Sequence, residues 1–129
     1  QTAALCFGGD EPSPATTAAT EEWDGTNWTA GGNLNTAASK TAGMGTQTSG
    51  LAIGGSAPGV TVQVEQYNGT AWVTHVSLAT ARSAMASSVP APSALGLVAG
   101  GDTGSPSNAT EELVGESTAV NDPKTIDFD

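Results

Sequence analysis

Short runs of small apolar residues alternate with polar segments along this chain, and one arrangement of these runs occurs three times. Each copy contains a run that ends in two glycines, LCFGG, LAIGG and LVAGG, and the first glycine recurs every 46 residues, from Gly8 to Gly54 to Gly100. A loop of variable length and a Glu-containing motif follow each pair. Recurrence at this spacing indicates a repeat architecture, which governs the interpretation of everything else in the chain.

The Glu-containing motif is TEEWDGTNW at residues 20–28. It returns in residues 61–72, which contain VEQYNGTAW, and in residues 110–115 as TEELVG, where Leu113 replaces the aromatic residue and the closing Trp is missing. We expect the residues that recur to be structural parts of the repeat, with the glutamates accepting hydrogen bonds from a neighbouring strand or turn. They are Gly8, Gly9, Gly54, Gly55, Gly100, Gly101, Glu21, Trp23, Trp28, Glu65, Tyr67, Trp72 and Glu111.

Each repeat is predicted to form four short strands. In the most complete copy these are residues 40–44, 49–53, 61–67 and 71–76. The third of them alternates, with Val62 and Val64 on one face and Glu65 on the other. Asn68-Gly69 predicts a tight hairpin before the fourth strand, because both residue types tolerate positive φ.

The remaining segments complete three units, at about residues 1–35, 36–80 and 81–129. The Ala-rich segment 36–42 and its equivalent 80–86 are predicted to be strand rather than helix, and a strand is expected within residues 81–89. Residues 124–128, KTIDF, are predicted to form a final strand. The first unit lacks its first strand, so about eleven strands are expected in an all-β fold.

The order of markers resembles a known family of repeats. Gly-Gly, a variable loop, Glu-x-Tyr or Glu-x-Trp, a Gly turn and a Trp are similar to the kelch-type β-propeller repeat. TEEWDGTNW, NLNTA and GTQTSGLAIGG resemble the kelch-like repeats of structural and tail-associated proteins of bacteriophages, especially phages of marine cyanobacteria. The resemblance covers the chain to about Gly115 and implies blades of a β-propeller and a virion or extracellular location.

Three blades are fewer than closed propellers contain, because these usually have four to eight. Either further blades precede Gln1, which stands in the middle of a repeat, or copies of the chain complete one ring; two chains would supply six blades. We expect an oligomer or a part of a longer chain. The Gly pairs are expected to permit close packing of blades near the ring axis.

The amino-acid composition and net charge exclude some classes of binding partner. Thirteen acidic residues against three basic ones give a net charge of −10, which argues against nucleic acid as a partner. The sequence contains no run of about 18 apolar residues, so insertion into a membrane is not expected. The single cysteine, Cys6, lies in an apolar run and is predicted to be a buried core residue.

A catalytic set is hard to assemble from these residues. His75 is the only histidine and lies in a predicted strand without a nucleophile motif beside it. The adjacent carboxylates Glu21 and Glu22 would point to opposite faces of a strand, so they cannot act as a pair. The aromatic residues Trp23, Trp28, Tyr67 and Trp72 could stack on sugars, but we favour packing between blades.

The variable loops are therefore the expected binding face, at residues 10–19, 56–60 and 102–109. Candidate ligand-binding residues there are Asp10, Glu11, Asp102 and Asn108. We expect no metal and no cofactor, with Ca²⁺ in these loops as the alternative because it prefers oxygen ligands.

The expected function is a non-enzymatic structural or adhesion module of a phage virion appendage. Its partners would be other virion proteins, copies of itself, or a host-surface glycan. Two alternatives remain, a carbohydrate-active or oxidase-type propeller enzyme and a kelch-type adaptor for protein interactions.

Overall fold

The computed structural model describes residues 2–12, 15–88 and 95–114, and these contain ten strands in three antiparallel sheets, with no helix. The first sheet contains β1 (Ala4–Phe7), β2 (Thr20–Trp23) and β3 (Trp28–Ala30). The second contains β4 (Ala42–Thr46), β5 (Ser49–Ile53), β6 (Val64–Tyr67) and β7 (Trp72–Thr74). The third contains β8 (Ala86–Ser87), β9 (Leu95–Ala99) and β10 (Thr110–Val114).

The all-β prediction is confirmed, and so is the second strand of the complete repeat, Ser49–Ile53. Strands keep sequence order in each sheet, and within the described ranges β1 is the edge strand of the first sheet, with no equivalent of β4 beside it. Residues 124–128, the predicted final strand, lie outside the described residues.

Several predicted strand limits are wrong. Segments 36–42 and 80–86 are not strands; they hold isolated bridges at Ser39 and Ser83, and the strands begin only at Ala42 and Ala86. The physical reason is a left-handed residue in each segment, Lys40 with φ 54° and its equivalent Ala84 with φ 51°. Such a residue turns the backbone out of the extended conformation.

Of the other predicted strands, the first of the complete repeat is shifted by two residues, and the remaining ones are shorter in the structure than in the sequence pattern. Predicted residues 40–44 become Ala42–Thr46, 61–67 become Val64–Tyr67, 71–76 become Trp72–Thr74, and 81–89 contain only Ala86–Ser87 within the described part. Thr61 donates its N–H to Gly55 O at 3.0 Å, so it belongs to the loop before β6. Val62 remains partly exposed for the same reason.

The second sheet packs against both of its neighbours, using opposite faces. Ala52, Tyr67 and Trp72 form one buried cluster together with Leu5 and Phe7 of the first sheet. The alternate residues of the second sheet face the other way, because successive side chains of a strand point to opposite sides. They form a second cluster with the third sheet, whose members are Ala42, Met44, Leu51, Ile53, Val64, Leu78, Met85, Val98 and Leu113.

Glycine residues let neighbouring sheets approach each other closely. A Cβ on Gly50 would lie 2.9 Å from Leu5 Cδ2 of the first sheet. A Cβ on Gly96, the equivalent residue of the third sheet, would collide with Met44 of the second. One rule therefore fits both contacts: a large side chain of one sheet covers a glycine of the next.

The glycine pairs hold the connecting segments between sheets. All six of these glycines have positive φ, a conformation that favours glycine. A Cβ on Gly8 would lie 2.5 Å from Ala38 O, and one on Gly101 would lie 2.6 Å from Ser83 O. Gly8 therefore closely approaches the backbone that leads out of its sheet, and Gly101 closely approaches the backbone that leads into its sheet.

Equivalent turns close the last hairpins of the first and second sheets. Asp24 Oδ1 accepts the N–H groups of Thr26 and Asn27 at 2.7 and 2.8 Å, and Asn68 Oδ1 accepts those of Thr70 and Ala71 at 3.0 and 2.9 Å. The bonds from Asn27 and then Thr26 lower the pKa of Asp24. Of the Asn68-Gly69 pair only Gly69 has positive φ, 90°, so the side-chain carbonyl of Asn68 shapes this turn.

Candidate functional site

The loop residues proposed as ligand-binding are all on the surface. Asp10, Glu11, Asp102 and Asn108 are exposed. The first two belong to the loop between β1 and β2, and the other two to the loop between β9 and β10, so they lie on different sheets with the second sheet between them. They do not form one compact site.

Each variable loop is closed by the same backbone contact. Thr17, Thr61 and Ser107 donate their N–H groups to the second glycine of the pair, at 3.0, 3.0 and 2.9 Å. Inside each loop a single antiparallel bridge follows, such as Asp102 with Pro106. The loops thus differ in length and sequence but leave their sheets in the same way.

A metal site has no support in these loops. Within residues 2–12, 15–88 and 95–114 no group of three or more His, Cys, Asp or Glu side chains could hold a metal ion. Asp102 uses one carboxylate oxygen, Oδ1, to accept the N–H of Gly104 at 2.8 Å, which shapes its own loop. The alternative of Ca²⁺ binding gains no ligand set from the described residues.

In the second and third sheets the repeated glutamate joins the sheet to the segment that precedes it. Glu65 is 3 % exposed, and its Oε2 accepts the backbone and side-chain N–H groups of Asn35, both at 2.8 Å. Its Oε1 accepts the N–H of Thr36 at 3.1 Å and of Gln63 Nε2 at 3.2 Å. These donors compensate the burial of the carboxylate.

Glu111 repeats this arrangement in the third sheet and adds an ion pair. Its Oε2 accepts the N–H of Ala79, the equivalent of Asn35, at 2.7 Å. Its Oε1 lies 2.7 Å from Nη2 of Arg82, which is 1 % exposed. Nη1 of Arg82 also donates to Gly100 O and Ala109 O, both at 3.0 Å. A buried guanidinium therefore ties the connecting segment to β9 and β10.

Glu21 has the same position in the first sheet but a different environment. It is exposed and makes no hydrogen bond through its side chain to the described residues, because the first sheet has no preceding connecting segment among them. Its neighbour Glu22 points to the other face and accepts a hydrogen bond from the hydroxyl of Tyr67. The expectation that adjacent glutamates face opposite sides is confirmed.

The aromatic residues divide into a buried pair and an uncovered pair. Tyr67 and Trp72, with ring centroids 5.0 Å apart, lie between the first and second sheets, and Phe7 contacts Trp72 at 4.8 Å. Trp72 donates its indole N–H to Thr20 Oγ1 at 2.9 Å. The equivalent pair Trp23 and Trp28 stacks at 5.4 Å, but Trp28 is 48 % exposed.

Tyr67 makes the contact between the first two sheets dependent on pH. Burial raises the pKa of Tyr67, and the hydrogen bond to Glu22 raises it further. The folded protein then holds the phenol proton more tightly than the unfolded chain, whose tyrosine titrates near pH 10. The contribution of Tyr67 to stability should be constant below that pH and should fall as the pH rises from about 10 towards the folded pKa.

The measurement is urea unfolding between pH 8 and 11, followed by tryptophan fluorescence. Tyr67→Phe should flatten the decline above pH 10 that belongs to this residue. An equally steep decline in Tyr67→Phe and in the wild type would contradict the assignment.

Cys6 is exposed, and the prediction that it is buried is wrong. The reason is its position, because Ala52 and Val98 at equivalent places are 5 % and 0 % exposed under the preceding sheet. No described residue covers the first sheet on that side. We call this uncovered surface, formed by Ala4, Cys6, Glu21, Trp23 and Trp28, the open face.

A trough lies beside the open face, along the free edge of β1. Its volume is about 680 Å³, and it is lined by residues 3–7, 41, 43–47 and 50. In the second sheet β4 occupies the corresponding place next to β5 and contacts β8 of the third. Among the described residues, the trough therefore lies where a strand equivalent to β4 would stand beside β1.

His75, the one candidate for acid-base chemistry, stands one residue beyond β7 and is half-buried. Its backbone N–H donates to Val64 O at 2.8 Å. Its Nδ1 is buried without a hydrogen-bond partner among the described residues. It belongs to no group of three or more His, Cys, Asp or Glu side chains there that could hold a metal ion.

Sequence comparisons find no relatives. No family model matches the chain, and no curated protein matches it. Among solved structures, the structure of YjhT is similar to it with a TM-score of 0.74 at 15 % identity. The likeness covers 92 % of this chain and 41 % of that chain, so the chain spans less than half the length of YjhT. At this identity the likeness shows the fold alone.

No helix in the described part of the chain is long and apolar enough to cross a membrane.

Proposed function

We propose that the three sheets are consecutive blades of a kelch-type β-propeller that serves as a non-enzymatic structural and adhesion module. The identical stacking of sheet on sheet supports the propeller, as does the likeness in fold to the longer YjhT chain. The resemblance of the repeats supplies the setting, a phage virion appendage. The variable loops would contact a host-surface glycan or another virion protein.

The use of the polar side chains carries the non-enzymatic part of the proposal. The side chains of Glu65, Glu111, Arg82 and Tyr67, which are buried or partly buried, all bind neighbouring sheets or connecting segments. The candidate ligand-binding residues lie instead on exposed loops that leave the sheets through equivalent backbone contacts. A rigid framework with variable surface loops is suited to recognition.

A glycan array of bacterial surface oligosaccharides, probed with the purified chain, tests the adhesion role. If a glycan binds, the double variant Asp102→Ala with Asn108→Ala should weaken binding at least about tenfold, the loss expected for one or two hydrogen bonds. Thr29→Ala, an exposed substitution on a strand, is the matched control and should bind as the wild type does.

Two results would contradict the proposal. Release of reducing ends from the same oligosaccharides would identify a carbohydrate-active enzyme instead. Absence of both glycan binding and any association with virion proteins in purified particles would remove the adhesion and the structural role together.

A further inference from the structure

The two contacts between sheets within this chain use equivalent positions, so each sheet has a receiving face and a covering face. The receiving face of the second sheet includes Gly50, Ala52 and Trp72, and that of the third includes Gly96 and Val98. The covering faces carry Leu5 and Phe7 in the first sheet and Leu51 and Ile53 in the second. The contact is directional, since a covering face always meets the receiving face of the next sheet.

The two ends of the described stack are complementary halves of that same contact. The open face is the receiving face of the first sheet. The covering face of the third sheet, which we call the outward face, consists of Leu97, Ala99, Thr110 and Glu112 at the positions of Leu5, Phe7, Thr20 and Glu22. Leu97 is 43 % exposed, whereas Leu51 at the same position is fully buried.

One buried polar atom on the outward face has no partner. Thr110 is 7 % exposed, and its Oγ1 makes no hydrogen bond to the described residues. Thr20 at the equivalent position accepts the indole N–H of Trp72. The residue equivalent to Trp72 on the open face is Trp28, which is half-exposed. The chain thus carries an acceptor without a partner at one end and the matching donor at the other, and because Thr110 Oγ1 is buried in the single chain, this side chain has to turn to meet an incoming donor.

We propose that the open face of one copy of this chain docks against the outward face of a second copy, head to tail. Trp28 of one copy then donates its indole N–H to Thr110 Oγ1 of the other. The proposal does not depend on what the variable loops bind, and it repeats a contact that the chain already makes twice.

Two further positions agree with this arrangement, and one differs. Ala4 takes the place of Gly50, and its Cβ requires the end of the incoming Leu97 side chain to shift, because a Cβ on Gly50 would lie 2.9 Å from Leu5 Cδ2. Glu112 takes the place of Glu22, which accepts the Tyr67 hydroxyl, and Trp23 offers an indole N–H at the position of Tyr67. Since each copy carries a net charge of −10, docking should be stronger at high salt, where the repulsion is screened.

Sedimentation equilibrium from micromolar to millimolar concentration in high salt is the test. The wild type should associate reversibly, and Trp28→Ala should weaken association by at least about tenfold, as expected for a large aromatic group at the centre of a contact. Val73→Ala, a substitution of an exposed apolar residue on β7, is the control and should leave association unchanged.

Thr110→Val separates docking from folding. It removes a buried hydroxyl that lacks a partner within the described chain, so the isolated chain should be as stable as the wild type or more stable. Association should nevertheless weaken, because the acceptor for Trp28 is lost. A monomer at millimolar concentration, or association that neither Trp28→Ala nor Thr110→Val weakens, would overturn the proposal.

A disulfide between two copies, formed with an introduced cysteine, would test the direction of docking. Ala52 and Phe7 belong to one buried cluster, and Cys6 and Ala99 hold the equivalent positions at the two ends. Under mild oxidation Ala99→Cys should therefore form disulfides between Cys6 of one copy and the introduced thiol of another. Ala71→Cys, exposed on a turn, should not cross-link to Cys6 efficiently. Equal cross-linking by both variants would contradict head-to-tail docking.

Discussion

Replacing Arg82 by Met should lower the free energy of unfolding by about 3–5 kcal/mol, the usual result of removing one partner of a buried ion pair. The guanidinium is 1 % exposed and bonds to three acceptors, namely Glu111 Oε1, Gly100 O and Ala109 O. Without it, the carboxylate loses its cation and both carbonyls lose a donor in a place that water reaches poorly.

The loss is large compared with the total stability of a small domain, about 5–15 kcal/mol. Arg82→Met should therefore unfold at a much lower urea concentration, followed by tryptophan fluorescence. Lys40→Met is the matched control, because it removes the same charge from an exposed side chain and should change stability by less than about 0.5 kcal/mol. Equal effects of both variants would show that Arg82 acts only through net charge.

Glu65→Ala should lower the free energy of unfolding by about 3 kcal/mol, because it removes a buried acceptor and leaves several part-buried donors unpaired. Glu65 accepts hydrogen bonds from Asn35, Thr36 and Gln63, and the first two belong to the segment that leads out of the first sheet. The variant should loosen this segment and with it the contact between the first two sheets.

Glu21→Ala is the control that the repeat itself provides. The position is equivalent, but the side chain is exposed and makes no hydrogen bond to the described residues, so dilute protein should keep its stability within about 0.5 kcal/mol. Hydrogen exchange of the Asn35 and Thr36 amides adds a local readout, which should quicken in Glu65→Ala alone. A loss as large for Glu21→Ala as for Glu65→Ala would contradict the role of the repeated glutamate as a contact between sheets.

The repeat predicted the sheets well because equivalent strands have equivalent neighbours and therefore similar residues. The recurrence of LAIGG and VEQY specified β5 and β6. The starts of β4 and β8 were not predictable by alternation, because the left-handed residues Lys40 and Ala84 are types that seldom adopt this conformation.

The candidate site was harder to predict, because the local sequence does not indicate whether a face at the end of a stack of sheets is covered. Cys6 has the apolar neighbours of a core residue, and it is exposed only because no described sheet covers the first one. Arg82 was missed for a related reason. Its equivalent in the preceding connection is Ala38, so the repeat gave no signal for a buried cation. The one available indication was that a charged residue, Arg82, stands where the preceding repeat has alanine.

The rate of thiol labelling at three equivalent positions tests the central claim most directly, namely that one contact joins successive sheets and lies open on the first. Cys6 would be compared with Ala52→Cys and Val98→Cys, each in a Cys6→Ala background, in dilute protein. We predict that Cys6 reacts as a free thiol does, while the other two positions react only through local opening and are slower by about a hundredfold or more. Similar rates at all three positions would contradict the account.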